Sequence, residues 1–350
     1  LQYHGAGTGR WAGRGIQIQN FTRNDFSGAE TDLVIDLIQH HDVAALQLLF
    51  GEPLDTVSQA MRGFIAATPE RELLSVDYSN IEGRVLAWLA GETWKLNAFA
   101  AFDAGTGPDI YKLTYGRAFN IDVSRVDKSQ RQIGKVMELA LGYQGGVGAF
   151  QTMARGYGVT VSDARAEELK VAWRDAHPLT KAYWYAVENA AVSALRHPGG
   201  KYPAGATGRQ VVFRKVGSFL WCRLPSERAI CYPFPELREQ ETPWGEMRDQ
   251  VTFLGENSLT KQWERQHTYG GCLVENITQG VARDILAEAM LALDEAKFRI
   301  VFHVHDEAVC EHPIGEKSLT EMKQVATQLP PWAAGLPLAA EGWTGRRYRK

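Results

Sequence analysis

The chain has 350 residues, 45% of them hydrophobic, with 38 Lys and Arg against 41 Asp and Glu for a formal charge of −3. That length supports one large domain or two moderate ones around a sizeable core. The charge balance removes any global electrostatic case for nucleic acid, leaving only the basic clusters Arg10–Arg14, Arg125–Lys135 and Arg346–Lys350. No apolar run reaches the roughly 18 residues that span a bilayer, and Cys222, Cys231, Cys272 and Cys310 form no C-x-x-C pair, which argues against a zinc site or disulfide framework and fits a reducing cytoplasm.

The opening Leu1-Gln2-Tyr3-His4-Gly5 has neither an initiator Met nor a signal-peptide pattern, so a segment of a longer protein is expected. Gly5 to Gly15 is a glycine-rich loop carrying Arg10 and Arg14. His40-His41 lacks a spaced carboxylate or Cys partner and reads as a helix surface or cap feature. Leu73–Val76 is a short apolar run ending at Asp77, a buried strand. Helical patterning then runs from Ile81 to about Arg196, broken near Gly105–Pro108, Gly145–Gly148 and Gly156–Gly158. Asp103, Asp109 and Asp122 flank turn residues and need no functional explanation, and Trp173, Trp184, Trp221 and Trp263 read as packing residues. Between Lys201 and Thr260 the runs Val211–Phe213, Phe219–Trp221 and Ala229–Tyr232 predict short strands. Ile277, Val281, Ile285, Ala289 and Leu293 then mark one stripe of an amphipathic helix. Ile300–Val304 and Ala308–Cys310 predict a hairpin with His305, Asp306 and Glu307 at its tip. The terminal run Arg346–Lys350 reads as a solvated tail.

Two features carry chemistry. Asp77 and Asp306 each stand where an apolar strand ends or turns, and a carboxylate there must be paired, solvated or metal-bound. A single strand-end Asp is more often a turn former, but two on neighbouring strands would offer the oxygen ligands that suit Mg²⁺. Two such ions about 3.5–4 Å apart stabilise the attacking and leaving oxygens of an in-line displacement at phosphorus. The second feature is Arg131, Lys135, Leu139 and Tyr143, whose four-residue spacing predicts one helix face with two cations, an apolar group and a ring. A nucleoside triphosphate laid along that face matches the order, phosphates on the cations and base near the ring. A solvated basic stripe beside a buried Tyr is the alternative.

Three ordered motifs resemble the family A DNA polymerases. Leu74-Ser75-Val76-Asp77-Tyr78-Ser79-Asn80-Ile81-Glu82-Gly83-Arg84 looks like motif A, Arg131 to Lys135 through Tyr143-Gln144-Gly145 like motif B, and Val304-His305-Asp306-Glu307 like motif C. Thr8-Gly9-Arg10 with Gln19-Asn20 resembles the segment that meets primer-template, and the 207–280 region is most similar to phage and prophage members. The resemblance implies an α/β (α+β) right-hand polymerase whose palm holds an antiparallel sheet beside largely helical fingers. Residues 1–83 and 272–350 would form the palm and 84–271 the fingers, with a β-rich segment at about 201–260. The thumb is expected to be absent, and an upstream thumb and exonuclease region in cis or an unknown processivity partner would then supply template grip.

The same resemblance implies roles. Asp77 and Asp306, helped by the Tyr78 carbonyl, would hold two Mg²⁺ ions, for which Mn²⁺ would substitute. Glu307 would be a secondary carboxylate beside them. Arg131 and Lys135 would grip the dNTP triphosphate, with Lys135 also a proton donor to departing pyrophosphate. Glu82 would be the steric gate against a ribose 2′-hydroxyl, Leu139 would touch the sugar and Tyr143 would stack at the nascent pair. Arg10, Gln19, Asn20, Arg84, Gln279, Arg283 and His305 would contact primer-template DNA. Leu139 replaces the family's usual Phe or Tyr, and Asn80 its commoner Gln. The implied reaction is attack of a primer 3′-hydroxyl on a dNTP, in the cytoplasm of a bacterial host if the gene is phage-borne, with no membrane partner. A single-subunit RNA polymerase, a two-metal nuclease and a catalytically silent DNA-binding remnant are the rivals. Glu82 and Glu307 argue against the first, the Arg131–Tyr143 face against the second, and retention of aspartates and cations against the third.

Overall fold

A computed structural model describes residues 1–22, 26–241, 245–257 and 260–349. Lys350, the last of the terminal basic run, lies outside them. The chain divides into two compact units, one made of Leu1–Ser79, Arg283–Gln328 and Leu338–Lys350, the other of Asn80–Ala282 and Leu329–Pro337. No helix among the described residues is long and apolar enough to cross a membrane.

The first unit opens with a glycine-rich segment and a 3-10 turn at Ile18–Asn20. Helix α1 (Gly28–Gln39) starts at a capping box, in which the Ser27 hydroxyl accepts from the Glu30 amide and the Glu30 carboxylate accepts from the Ser27 amide. Asp42 caps α2 (Val43–Phe50), and Pro53 opens α3 (Pro53–Ala60) at a position where its missing N–H costs nothing. Val34, Leu46 and Ala60 form their shared core. Strand β1 (Arg71–Tyr78) follows, its Leu73–Val76 run buried as its apolar character dictates.

The second unit begins at Asn80, whose φ of 51° is a left-handed conformation that Asn tolerates better than a branched or long side chain. Helices α4 (Ile81–Ala90), α5 (Thr93–Asp103), α6 (Ile110–Phe119) and α7 (Lys128–Leu141) come next, with α8 (Val147–Gly156), α9 (Asp163–Ala176) and α10 (Pro178–Arg196) behind them. Asp109 caps α6 through the amides of Tyr111 and Lys112, and the buried Glu92 carboxylate accepts from the amides of Leu179 and Thr180 at the start of α10. Helix α7 lies on α6 with almost no spacing: a Cβ at Gly134 would stand 2.1 Å from the Tyr111 carbonyl oxygen.

Strands β2 (Tyr202–Ala204), β3 (Val211–Val216), β4 (Phe219–Arg223) and β5 (Ala229–Pro233) pair in sequence order as an antiparallel meander. A three-stranded sheet of β6 (Glu236–Glu241), β7 (Met247–Glu256) and β8 (Trp263–Thr268) follows. Trp173 and Trp184 are buried and stacked with centroids 6.0 Å apart, whereas Trp221 and Trp263 stand exposed on β4 and β8, so the packing role expected of the latter two is corrected. The unit boundary falls in α11 (Gly270–Glu295), and the whole expected stripe from Ile277 to Leu293 is buried.

The chain then completes the first unit with β9 (Ile300–Val304), β10 (Glu307–Pro313), α12 (Leu319–Ala326) and β11 (Ala340–Gly345). The four-stranded antiparallel sheet has the order β11-β1-β10-β9. Val304 pairs with Glu307, so the hairpin turn is His305-Asp306 alone and Glu307 is the first residue of β10 instead of a tip residue. His305 carries the turn at φ 53°.

The terminal basic run is docked, contrary to the solvated tail expected. The Ala67 amide donates to the Arg346 carbonyl at 2.8 Å, the Tyr348 amide donates to the Ile65 carbonyl at 2.8 Å, and Arg347 donates to the Gly63 carbonyl at 3.0 Å. Tyr348 is 1% exposed and joins Ala67, Leu73, Val304 and Val309 in one apolar cluster.

Candidate active site

Strand register brings the carboxylates together. Asp77 is the cross-strand partner of Glu307, Asp306 immediately precedes Glu307, and the Tyr78 amide donates to the Asp306 carbonyl at 3.3 Å. Asp77 and Asp306 are both half-buried, and Asp77 Oδ1 is itself buried. Tyr78 is held from the opposite face of β1, its hydroxyl donating to the Ala326 carbonyl at 2.6 Å. Burial, with the Asp306 charge nearby, pushes that phenol far above its ordinary range.

Glu307 differs from its neighbours. Its side chain is 1% exposed, Oε1 accepts from the Ser75 hydroxyl, and Oε2 accepts from the Tyr348 hydroxyl at 2.6 Å. Ser75 lies two residues before Asp77 on β1, hence on the same sheet face. His305 is exposed at the turn.

Carboxylate oxygens are the donors that suit Mg²⁺, an ion that keeps several waters and takes phosphate oxygens as further ligands. Asp77 and Asp306 fit that chemistry. Among the described residues no group of three or more His, Cys, Asp or Glu is arranged to hold a metal, so the fit rests on these two carboxylates.

In the second unit α7 carries the cations. Arg131 pairs with Asp109 at 2.8 Å and lies over the Tyr111 ring, 5.3 Å from its centroid. Lys135 stands over Tyr157 at 4.6 Å, and Leu139 is exposed. Tyr143 lies beyond the end of α7, so the four-residue face expected from spacing covers Arg131, Lys135 and Leu139 but leaves Tyr143 in the following turn. The Tyr143 hydroxyl donates to Glu82 Oε2 at 2.9 Å. Burial first, then the Glu82 carboxylate, holds this phenol protonated well above the usual range. Sequence reasoning missed Glu138 between these residues. Its carboxylate pairs with Lys95, accepts from Thr114 at 2.9 Å and from Trp173 at 3.2 Å, and lies 3.3 Å from His177. Burial raises its pKa, but Lys95 and His177 outweigh burial and hold it below the ordinary value.

Two residues expected to contact DNA are occupied within the fold. Arg84 is 1% exposed and forks onto Asp103 with bonds of 2.6 and 2.7 Å. Its guanidinium also donates to the Pro337 carbonyl at 3.3 Å and lies 4.5 Å from the Phe99 centroid, so its charge is engaged within the second unit. Asp103 and Asp109, dismissed from sequence as turn residues, are the partners of Arg84 and Arg131. Arg283 is 8% exposed, donates to the Gly9 carbonyl at 3.1 Å, and lies 4.2 Å from the Trp11 centroid. It fastens the glycine-rich segment. Arg10, Gln19 and Gln279 are half-buried, with Gln279 donating to Glu275 at 3.2 Å, and Asn20 is exposed.

Residues 7–218 match the model of the family described as DNA polymerase family A. A DNA polymerase of Bacillus phage SP02 is 38% identical over 354 aligned residues, 100% of this chain and 52% of that protein. DNA polymerase I of Mycobacterium bovis is 26% identical over 74% of this chain and 23% of its own length. The chain thus spans about half of the phage relative and about a quarter of the bacterial one. Among solved structures, the POL domain of Pol1 from M. smegmatis, in complex with DNA primer-template and dNTP, superposes with a TM-score of 0.57 at 19% identity, covering 98% of this chain and 46% of that one. The ordered motifs, the antiparallel sheet and these matches agree: the chain belongs to DNA polymerase family A.

Proposed function

We propose that the chain carries the nucleotidyl-transfer chemistry of a template-directed DNA polymerase, adding dNTPs to a primer 3′-hydroxyl and releasing pyrophosphate. The observation that carries this reading is the register that sets Asp77 opposite Glu307, with Asp306 beside it at the turn. Family A DNA polymerases generally use divalent metal ions. Asp77 and Asp306 would hold two Mg²⁺, assisted by the Tyr78 carbonyl, and such ions supply charge stabilisation at the attacking and leaving oxygens. The first unit serves as palm and the second as fingers. Arg131 and Lys135 grip the triphosphate, Arg131 as a fork and Lys135 as a point charge, and Lys135 delivers a proton to the leaving pyrophosphate. Binding phosphate requires Arg131 to exchange Asp109 for the substrate. Glu82, fixed by the Tyr143 hydroxyl, closes the space that a ribose 2′-hydroxyl needs, and Leu139 packs on the sugar. Arg10, Gln19, Asn20, Gln279 and His305 serve the primer-template side. The four free cysteines suit a reducing bacterial cytoplasm.

Primer extension tests the reading. Asp77→Asn or Asp306→Asn should lower the extension rate roughly a thousandfold or more, since several kcal/mol of transition-state stabilisation is lost, while primer-template binding stays largely intact. Near-normal extension by either variant would sink the assignment.

A further inference from the structure

We propose that Tyr348 is a positioning residue for the polymerase reaction, acting through Glu307, so that the docked segment after β11 completes the carboxylate site from its buried side. This rests on the polymerase reading above.

Glu307 lies directly across from Asp77, and carboxylates on facing positions of one sheet face repel. A long side chain at such a position has several rotamers, some of which turn its charge toward the site of Asp77 and Asp306. Two donors remove that freedom. Ser75 holds one oxygen and Tyr348 the other at 2.6 Å, each a bond to an ionised acceptor and so stronger than a neutral one. Ser75 belongs to β1 and follows from the strand itself. Tyr348 comes from a different segment and is brought there by separate interactions.

Those interactions are specific. The Tyr348 amide is bound to Ile65, the flanking Arg347 donates to Gly63 and pairs with Asp32 at 2.5 Å, and the ring meets Phe302 at 87° with centroids 5.1 Å apart. Trp343 lies 6.0 Å from the ring, and the Arg62 guanidinium 5.7 Å. Packing alone would be satisfied by Phe. The Tyr348 hydroxyl donates to a motif C carboxylate, and it reaches that carboxylate from inside the core.

Tyr348→Phe keeps the ring and deletes the hydroxyl. The expected result is a fall in single-turnover kcat of about tenfold, the scale of one hydrogen bond to a charged group, with the KM for dNTP and the Kd for primer-template each within about twofold of the native chain. A purely structural hydroxyl would leave kcat unchanged in the folded fraction, and that result would overturn the proposal. The link to Glu307 is tested in metal-free protein by thermal melting of Tyr348→Phe, Glu307→Ala and the double variant. Tyr348→Phe should lower the Tm when Glu307 is present and have almost no effect when it is absent. Equal losses in both backgrounds would overturn the link. Should Glu307→Ala fail to fold, Ser75→Ala takes its place in the cycle, where strict additivity with Tyr348→Phe would count against a shared carboxylate. If the native chain extended no primer, the polymerase reading would fall while the melting cycle still judged the Tyr348–Glu307 bond.

Discussion

Arg84 shows what one position can conceal. Motif spacing located it correctly on α4, yet its environment depends on Asp103, nineteen residues away on another helix, and on the Pro337 carbonyl. No local pattern distinguishes an arginine reaching out from one folded inward, and the DNA role expected of it is one that the resemblance alone implies. The structure predicts a stability role. Arg84→Ala should cost about 3–5 kcal/mol, the usual consequence of stripping one partner from a buried ion pair, and Arg84→Lys should recover only part because the fork is lost. Urea unfolding midpoints check this, and a loss below about 1 kcal/mol would contradict it. His303 gives a pH signature at the same scale. Burial first, then the positive charges of the Leu1 amino group and Arg283, push its imidazole from 6.5 down to about 4. The unfolded chain therefore takes up a proton near 6.5 that the folded chain refuses until about 4. Stability from this group is complete above 6.5, declines as pH falls between those values, and changes no further below. Melting temperature against pH should accordingly be steeper over that window for the native chain than for His303→Phe.

At the scale of elements, α7 was legible because Arg131, Lys135 and Leu139 follow a helical period, but its anchorage was not. Glu138 faces inward between Lys135 and Leu139, and its partners come from α5 (Lys95), α6 (Thr114), α9 (Trp173) and the junction between α9 and α10 (His177). Glu138→Gln would leave Lys95 buried without a counter-charge, an expected loss of about 3–5 kcal/mol. Adding Lys95→Met should restore much of it, since apolar replacement of a buried pair is often near neutral. Calorimetric melting of single and double variants decides, and a double variant no more stable than Glu138→Gln would rule out stranded charge as the cause. Strands β6 to β8 illustrate the opposite failure of pattern. Glu236–Glu241 has one apolar residue, Leu237, and is otherwise polar and exposed, so no apolar alternation marks it, and backbone pairing with β7 defines the strand instead. The three strands read from sequence, by contrast, have alternating buried residues such as Val211 and Phe213 or Leu220 and Cys222.

Across the whole molecule, the three motifs were foreseeable because each sits at a strand end or on a helix with a strong local pattern, and the antiparallel sheet was expected from the family resemblance those motifs carry. The return of Leu329–Pro337 to the second unit was not, since it depends on contacts between distant segments. The second unit needs Leu329–Pro337, which supplies the Pro337 carbonyl to Arg84 and the Ala334 carbonyl to Trp88 at 3.0 Å. A fragment of residues 80–282 should therefore melt below one in which 329–337 is joined through a flexible linker. Circular dichroism would show it, and identical melting would make those carbonyls dispensable. The order β11-β1-β10-β9 has one further consequence, in time. Ribosomes add about 5–20 residues per second, so β1 emerges on the order of ten seconds or more before β10 and β11, its partners on either edge. Throughout that interval Leu73–Val76 has neither neighbour that covers it in the finished sheet. The strand that delivers Asp77 is thus the one most open to mispairing during synthesis, and slower translation lengthens its exposure.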